Sequence, residues 1–249
     1  MSGVCDGRVP QGCPVKRGLS SAALKIIAAV CMTLDHTAFL FAPFGSAAWY
    51  VMRFLGRLAM PVFCFQVAEG FAYTRSPGKY AARLGLLAII SQLPFSWMES
   101  GGVSVGLGTL SVAVTLLCGI LAMWALDSVR PLWLSVPIAA VCVLVSSFAD
   151  WGITGVLWIL AFRLCRGSRF GQIASYLLIS MGYFLYNALT LSADSRLPVL
   201  AVTTGLFLAP ALLLPYDGRR GGGGLFSRLF YLYYPAHMAL LTALCVFMR

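Results

Sequence analysis

Charge is what this sequence has least of. Asp, Glu, Lys and Arg make up 10% of its 249 residues and hydrophobic residues 60%, whereas soluble domains carry roughly 25% charged residues. No soluble fold has interior enough for that much apolar surface. Acidic residues are the scarcest charges, eight against eighteen basic, which leaves a formal net charge of +10. The basic excess falls in short clusters between apolar runs, not along a stripe or an aromatic platform, so nucleic acid is set aside as a partner. Histidine occurs only at positions 36 and 237, and none of the eight cysteines stands in a CxxC pair. A Cys/His zinc centre therefore has no spacing to support it, and no metal is expected. Six of the cysteines lie within or at the edge of apolar runs, where they serve as small hydrophobes. The chain also lacks the internal repeat of inverted-repeat transporters and any long polar domain.

What is present is a succession of apolar runs of a length to cross a hydrocarbon core of about 30 Å. Their breaks place nine spans near 22–42, 50–73, 80–98, 105–126, 131–148, 152–166, 171–190, 197–214 and 226–248. The expected architecture is all-α, a polytopic transmembrane helix bundle, with the sixth span the shortest. Pro61, Pro94, Pro137, Pro210 and Pro235 lie inside runs, which membrane helices tolerate where neighbours satisfy the freed backbone groups. With the N terminus cytoplasmic, thirteen basic residues fall on the inner side, from Arg8, Lys16 and Arg17 to Arg219, Arg220 and Arg228, against Arg196 and Arg249 on the outer side. That is the positive-inside asymmetry of a multi-pass protein. The outer side also carries Glu99, Asp150 and Asp194.

Residues 1–20 combine Gly, Pro and basic residues and are read as a flexible cytoplasmic segment ahead of one transmembrane domain, 21–249. Cleavage as a signal is not expected, because the run that follows is span-length and holds Asp35 and His36. The stretch 217–224, DGRRGGGG, reads as a linker.

An ionisable group in hydrocarbon costs about 3 kcal/mol or more unless paired or hydrated, so each one nominates itself as a site. Lys25 and His36 are eleven residues apart, almost on one face of a helix and about 16 Å apart along its axis. Lys25 also suits a snorkelling role at a helix end. Asp35 points about 100° away from His36 and so needs a partner on another helix. Arg53 and Arg57 share a face at i, i+4; Arg53 suits an anchor to outer-leaflet phosphates, and Arg57, a turn deeper, looks into the bundle. Glu69 suits an ion pair with a nearby Arg or Lys, or a direct role. His237 follows Pro235 near mid-membrane, in a run with Phe230, Tyr231, Tyr233 and Tyr234. Two histidines at comparable depth point to a shared polar cavity, for which Gln92 and Asn187 are further lining candidates or interhelical hydrogen-bonding residues.

Three segments in series carry a resemblance: LKIIAAVCMTLDH at 24–36, FLGRLAMPVF at 54–63 and FYLYYPAH at 230–237. Together they resemble the TraX family of membrane acetyltransferases associated with conjugative pili, and more distantly the wider superfamily of transmembrane acyltransferases. Lys25 and His36 match the basic residue, ten residues, His spacing of that superfamily. Gly56, Arg57 and Pro61 match its following helix, and His237 its closing aromatic-His element.

The resemblance implies transfer of an acetyl group from acetyl-CoA to an amine or hydroxyl, in a protein of the bacterial inner membrane. An acceptor loses a proton as it attacks the thioester, and His36 is the candidate general base. Arg57 is the candidate for the oxyanion or for orienting substrate, with His237 as an alternative donor. Lys25, with Arg75, Lys79 and Arg83, is the candidate set for the phosphates of acetyl-CoA; Asp35, Arg53, Glu69, Gln92 and Asn187 are supporting candidates. By the same resemblance the acceptor is the N-terminal amine of a pilin subunit, with a cell-envelope glycan as the other acceptor class. Outside it stand a proton-coupled transporter or channel for a small solute, in which the same residues line a polar pathway, and a non-catalytic assembly component.

Overall fold

The computed structural model describes residues 18–104 and 108–248, so the N-terminal segment expected at 1–20 lies outside the described residues but for its last three. Among the described residues the elements are helical: α1 (Ser21–Phe41), α2 (Ala47–Gly56), α3 (Ala59–Tyr73), α4 (Pro77–Glu99), α5 (Val112–Ser128), α6 (Leu132–Ser146), α7 (Gly152–Leu164), α8 (Arg169–Thr190), α9 (Ala193–Thr203), a 3-10 turn (Thr204–Leu208), α10 (Ala209–Leu213) and α11 (Gly224–Phe247). Because α2 runs into α3, and α9 through the 3-10 turn into α10, these make nine helical segments among the described residues, each overlapping an expected apolar run. Six are long and apolar enough to span a membrane: Ser21–Phe41, Ala47–Tyr73, Pro77–Glu99, Arg169–Thr190, Ala193–Leu213 and Leu229–Phe247; α5, α6 and α7 are shorter apolar helices. The protein is an all-α polytopic bundle. The fourth segment starts later than expected, at Val112. Ahead of it Gly101 and Gly102 take positive φ, 64° and 85°, and Gln92 clamps the turn, donating to the Thr109 carbonyl at 3.1 Å and accepting from the Ser111 N–H at 2.9 Å.

Serine side chains start several helices by accepting a backbone N–H: Ser20 from Ala23, Ser46 from Trp49 and Ser168 from Gly171. Proline interrupts others. Pro61 has no N–H to offer the carbonyl four residues back, that of Arg57, and the second span breaks there, at Arg57 and Leu58, which lie between α2 and α3. Pro210 likewise frees the carbonyl of Leu206, and the buried Tyr176 hydroxyl donates to it at 2.7 Å. A membrane bundle meets its backbone obligations in that way.

The interior centres on α3, which packs against α1, α5, α7 and α10. Trp158, Phe162 and Tyr176 fill it, with no more than 1% of each exposed. Leucines at the other extreme, such as Leu189 at 82% exposure, face outward, as lipid-facing residues do. The 217–224 stretch is not a free tether. The N–H groups of Ser21 and Ala22 donate to the carbonyls of Arg219 and Arg220 at 2.8 and 3.1 Å, so the loop caps the start of α1. The end of the bundle at which α1 begins is called the near end below, and the opposite one the far end.

Candidate functional site

His36 on α1 and His237 on α11 meet where those helices pack together. His36 lies fifteen residues from the start of α1 and His237 thirteen from the start of α11, about 22 and 20 Å by helical rise, so the two rings stand at one depth. His36 Nδ1 is 2.9 Å from His237 Nε2, and the rings are almost parallel, 6° apart in plane. His237 Nδ1 is 2.9 Å from the Tyr233 carbonyl. A carbonyl only accepts, so Nδ1 of His237 carries a hydrogen, and in the neutral ring its Nε2 is then an acceptor. His36 must then donate from Nδ1, which leaves a lone pair on its Nε2. His237 is 6% exposed, while His36 is only partly buried, so the bare nitrogen belongs to the more accessible ring.

Tyr233 and Thr33 hold this arrangement. The Tyr233 ring lies 5.0 Å from that of His237 at an interplanar angle of 9°. Thr33 gives its one hydroxyl hydrogen to the Ala29 carbonyl at 2.9 Å, so in the contact between the two hydroxyls Tyr233 donates to Thr33.

A second cluster sits beside this one toward the far end. Asp35 Oδ2 accepts from Arg53 Nη1 at 2.6 Å, so Asp35 finds its partner on another helix and Arg53 turns inward, to 18% side-chain exposure, not out to lipid phosphates. Asp35 also rests against Gly56, where a Cβ would overlap its carboxyl group. Arg57, at the break after α2, lays its guanidinium 5.3 Å from the centre of the Trp151 ring. Trp151 adopts the left-handed region at φ 62°, an uncommon conformation for a bulky residue. Its N–H donates to Asp150 Oδ1 at 2.9 Å. Asp150, in the turn between α6 and α7, is half-buried and feels the charges of Arg57, Asp35 and Arg53; loss of water around it raises its carboxyl from the ordinary 3.8 to about 6, against the opposing pull of Arg57. Asp35 Oδ1, Arg53 Nε and Arg57 Nε are buried without a hydrogen-bond partner among the described residues. The cluster therefore keeps two N–H donors and one carboxylate oxygen in reserve beside the histidines, a set suited to a carbonyl or oxyanion and to a protonated amine.

The remaining candidates lie elsewhere. Lys25 is half-buried near the start of α1, with the charge of Arg220 close by. Arg75, Lys79 and Arg83 are exposed at the near end, Arg83 packing on the Tyr80 ring at 5.8 Å. Glu69 pairs with Arg166, 3.2 Å between Oε1 and Nε. Asn187 donates to the Tyr183 carbonyl of its own helix at 2.8 Å, and Gln92 holds the turn before α5; neither reaches the histidine pair through these bonds. Sequence reasoning missed Asp150, which it counted as an outer loop charge, and Trp151 and Thr33. The one available signal was Asp150's place directly before Trp151, where an acid and an aromatic close a tight turn between two apolar runs. The six described cysteines are free thiols, and among the described residues no group of three or more His, Cys, Asp or Glu converges.

These features define a multi-pass helical membrane protein with a histidine pair between two helices and an adjacent Asp/Arg cluster. The chain belongs to the family described as TraX protein, whose model matches residues 20–245. It is similar to the Probable fimbrial assembly protein FimC, serogroup H1, of Dichelobacter nodosus. The two are 36% identical over 249 aligned residues, covering 92% of this chain and 97% of that protein. No solved structure matches.

Proposed function

We propose that the protein is an acetyl-CoA-dependent membrane acetyltransferase of the bacterial inner membrane, with its N terminus cytoplasmic and a pilin N-terminal amine as acceptor. The observation that carries this reading is the lone pair left on His36 Nε2 by the hydrogen-bond chain from His36 through His237 to the Tyr233 carbonyl. An amine nitrogen attacks the thioester carbonyl of acetyl-CoA and gives up a proton to His36 Nε2. The C–S bond then breaks, and the leaving thiolate recovers that proton. His237 accepts from His36 Nδ1 throughout and so shares the charge of the transient imidazolium. The oxyanion of the tetrahedral intermediate is met by a guanidinium N–H of the far-end cluster; Arg53 and Arg57 both keep a buried, unpaired Nε, and Arg57 is the better suited because Arg53 is held by Asp35.

The acceptor rests on kinship. The FimC relative is named for fimbrial assembly, and a pilin is the substance of a fimbria. Basic residues crowd the near end, in keeping with a cytoplasmic face and a cytoplasmic acyl donor. A cell-envelope glycan remains the other acceptor class. The deciding experiment is mass spectrometry of pilins encoded beside the gene, from cells with and without the protein. A gain of one acetyl at the mature N terminus is expected in its presence. Identical masses, together with no transfer from labelled acetyl-CoA to any envelope fraction, would sink the proposal, and solute flux in proteoliposomes would then favour a carrier.

A further inference from the structure

At the near end a cavity of about 370 Å³ opens between the ends of α3 and α7 and the start of α8; Glu69, Tyr73, Arg163, Arg166, Arg169 and Tyr216 are among its walls. That volume falls within the range of small-molecule sites, about 300 to 1,000 Å³. Its charge is out of balance. Among the described residues three guanidinium groups face one wall carboxylate, Glu69, which is taken up by Arg166 Nε. Arg163 is paired from outside the cavity, by Asp127 at 2.8 Å. Arg169 has no carboxylate within ion-pair distance among the described residues; it is held instead by the carbonyls of Leu213 and Tyr216, at 3.4 and 2.9 Å.

The forks are also held in place. The Arg166 guanidinium lies 4.7 Å over the Tyr73 ring and that of Arg169 5.5 Å over the Tyr216 ring. Arg169 opens α8, a helix of 22 residues capped by Ser168, so the positive end of that helix dipole adds to the field of the cavity. Fixed guanidinium forks at a helix N-terminus, with Arg169 free of any carboxylate among the described residues and one positive charge in excess over the two carboxylates that pair Arg163 and Arg166, suit the tetrahedral oxygens of a phosphate better than a carboxylate, which one Arg alone satisfies.

We infer that this cavity is a binding site for a phosphate ester. Two sources present that chemistry at this end of a membrane protein: the nucleotide end of coenzyme A and the headgroup of an anionic phospholipid. The inference stands apart from acetyl transfer, since either ligand binds without turnover.

The test uses the full chain purified in detergent, with coenzyme A lacking an acetyl group as one probe and phosphatidylglycerol as the other. Coenzyme A affinity is measured calorimetrically, and retained phosphatidylglycerol by native mass spectrometry, for wild type, Arg166→Gln, Arg169→Gln and, as control, Arg196→Gln at the far end. Loss of a charge-assisted contact should weaken binding about tenfold in both cavity variants and leave the control unchanged. A fall confined to coenzyme A identifies the nucleotide, and one confined to the lipid identifies the headgroup. On the wild-type chain, whichever probe binds should protect Arg166 and Arg169 from phenylglyoxal labelling, a readout that survives a failure of the variants to fold. Unchanged affinities in folded variants, or unchanged labelling, would overturn the inference.

Discussion

His36 turns its Nδ1 toward His237 and leaves its Nε2 without a proton. The 2.9 Å contact between the rings and the equal contact from His237 to the Tyr233 carbonyl fix that direction, because the chain ends on an atom that only accepts. Among the described residues no carboxylate hydrogen-bonds either histidine; the nearest acid in sequence, Asp35, is committed to Arg53. His237 therefore acts toward His36 as an orienting acceptor.

Replacement of either histidine should separate the two roles. His36→Ala should lower acetyl transfer by about 10²- to 10⁴-fold, the usual worth of a positioned general base. His237→Gln offers an amide oxygen to His36 Nδ1 and should keep most of the transfer that His237→Leu loses. The measurement is transfer of labelled acetyl to the acceptor across a pH series. Equal activity in the Gln and Leu variants would show that the hydrogen bond to His36 Nδ1 does not matter.

Gly56 is a packing prediction independent of any chemistry. A Cβ at that position overlaps the Asp35 carboxyl group, so in Gly56→Ala α1 and α2 must move apart or Asp35 must leave Arg53. Overpacking of this kind costs about 1 to 3 kcal/mol. Thermal unfolding in detergent should show a lower midpoint than wild type. A midpoint equal to wild type would mean that the approach of the two helices is looser than the structure has it.

Arg57 carries a prediction that separates binding from chemistry. Arg57→Lys keeps the charge but gives up the planar group over Trp151 and the buried Nε donor. If that N–H meets an oxyanion, kcat should fall about 10²- to 10³-fold with KM little changed. A rise in KM at unchanged kcat would assign Arg57 to ground-state binding instead.

The sequence tells much about the helices and less about what lies between them. Apolar runs and the polar breaks between them locate the nine segments, and the length that a bilayer sets is met by six of them. The rarity of histidine drew attention to His36 and His237, and helical geometry pointed Asp35 away from His36 toward another helix. Arg53 was read outward because its depth suits a lipid phosphate, and depth alone cannot say which way a side chain turns once Asp35 is opposite. Asp150 and Trp151 were hidden for a different reason. Their position between two apolar runs marks them as loop residues, and only the fold shows the loop dipping beneath Arg57. The cavity arginines Arg163, Arg166 and Arg169 were visible, but only as counts in a topological rule that says nothing about where they converge.

Asp150 makes the site sensitive to pH in a direction that can be worked out. Its carboxyl is raised from 3.8 to about 6, burial being the largest cause. Between those values the folded chain holds a proton that the unfolded chain has released, so folding is favoured at low pH and loses ground as pH rises through the window. The cost levels off above pH 6, at about 3 kcal/mol for a shift of this size. Asp150→Asn has no proton to lose and escapes this dependence, although it also gives up attraction to Arg57 at every pH where the acid is charged. The difference in thermal midpoint, wild type minus Asp150→Asn, should therefore fall from pH 4 to pH 6 and then run flat. A difference that rises over that interval would show that Arg57 and Arg53 outweigh burial and hold the carboxylate charged.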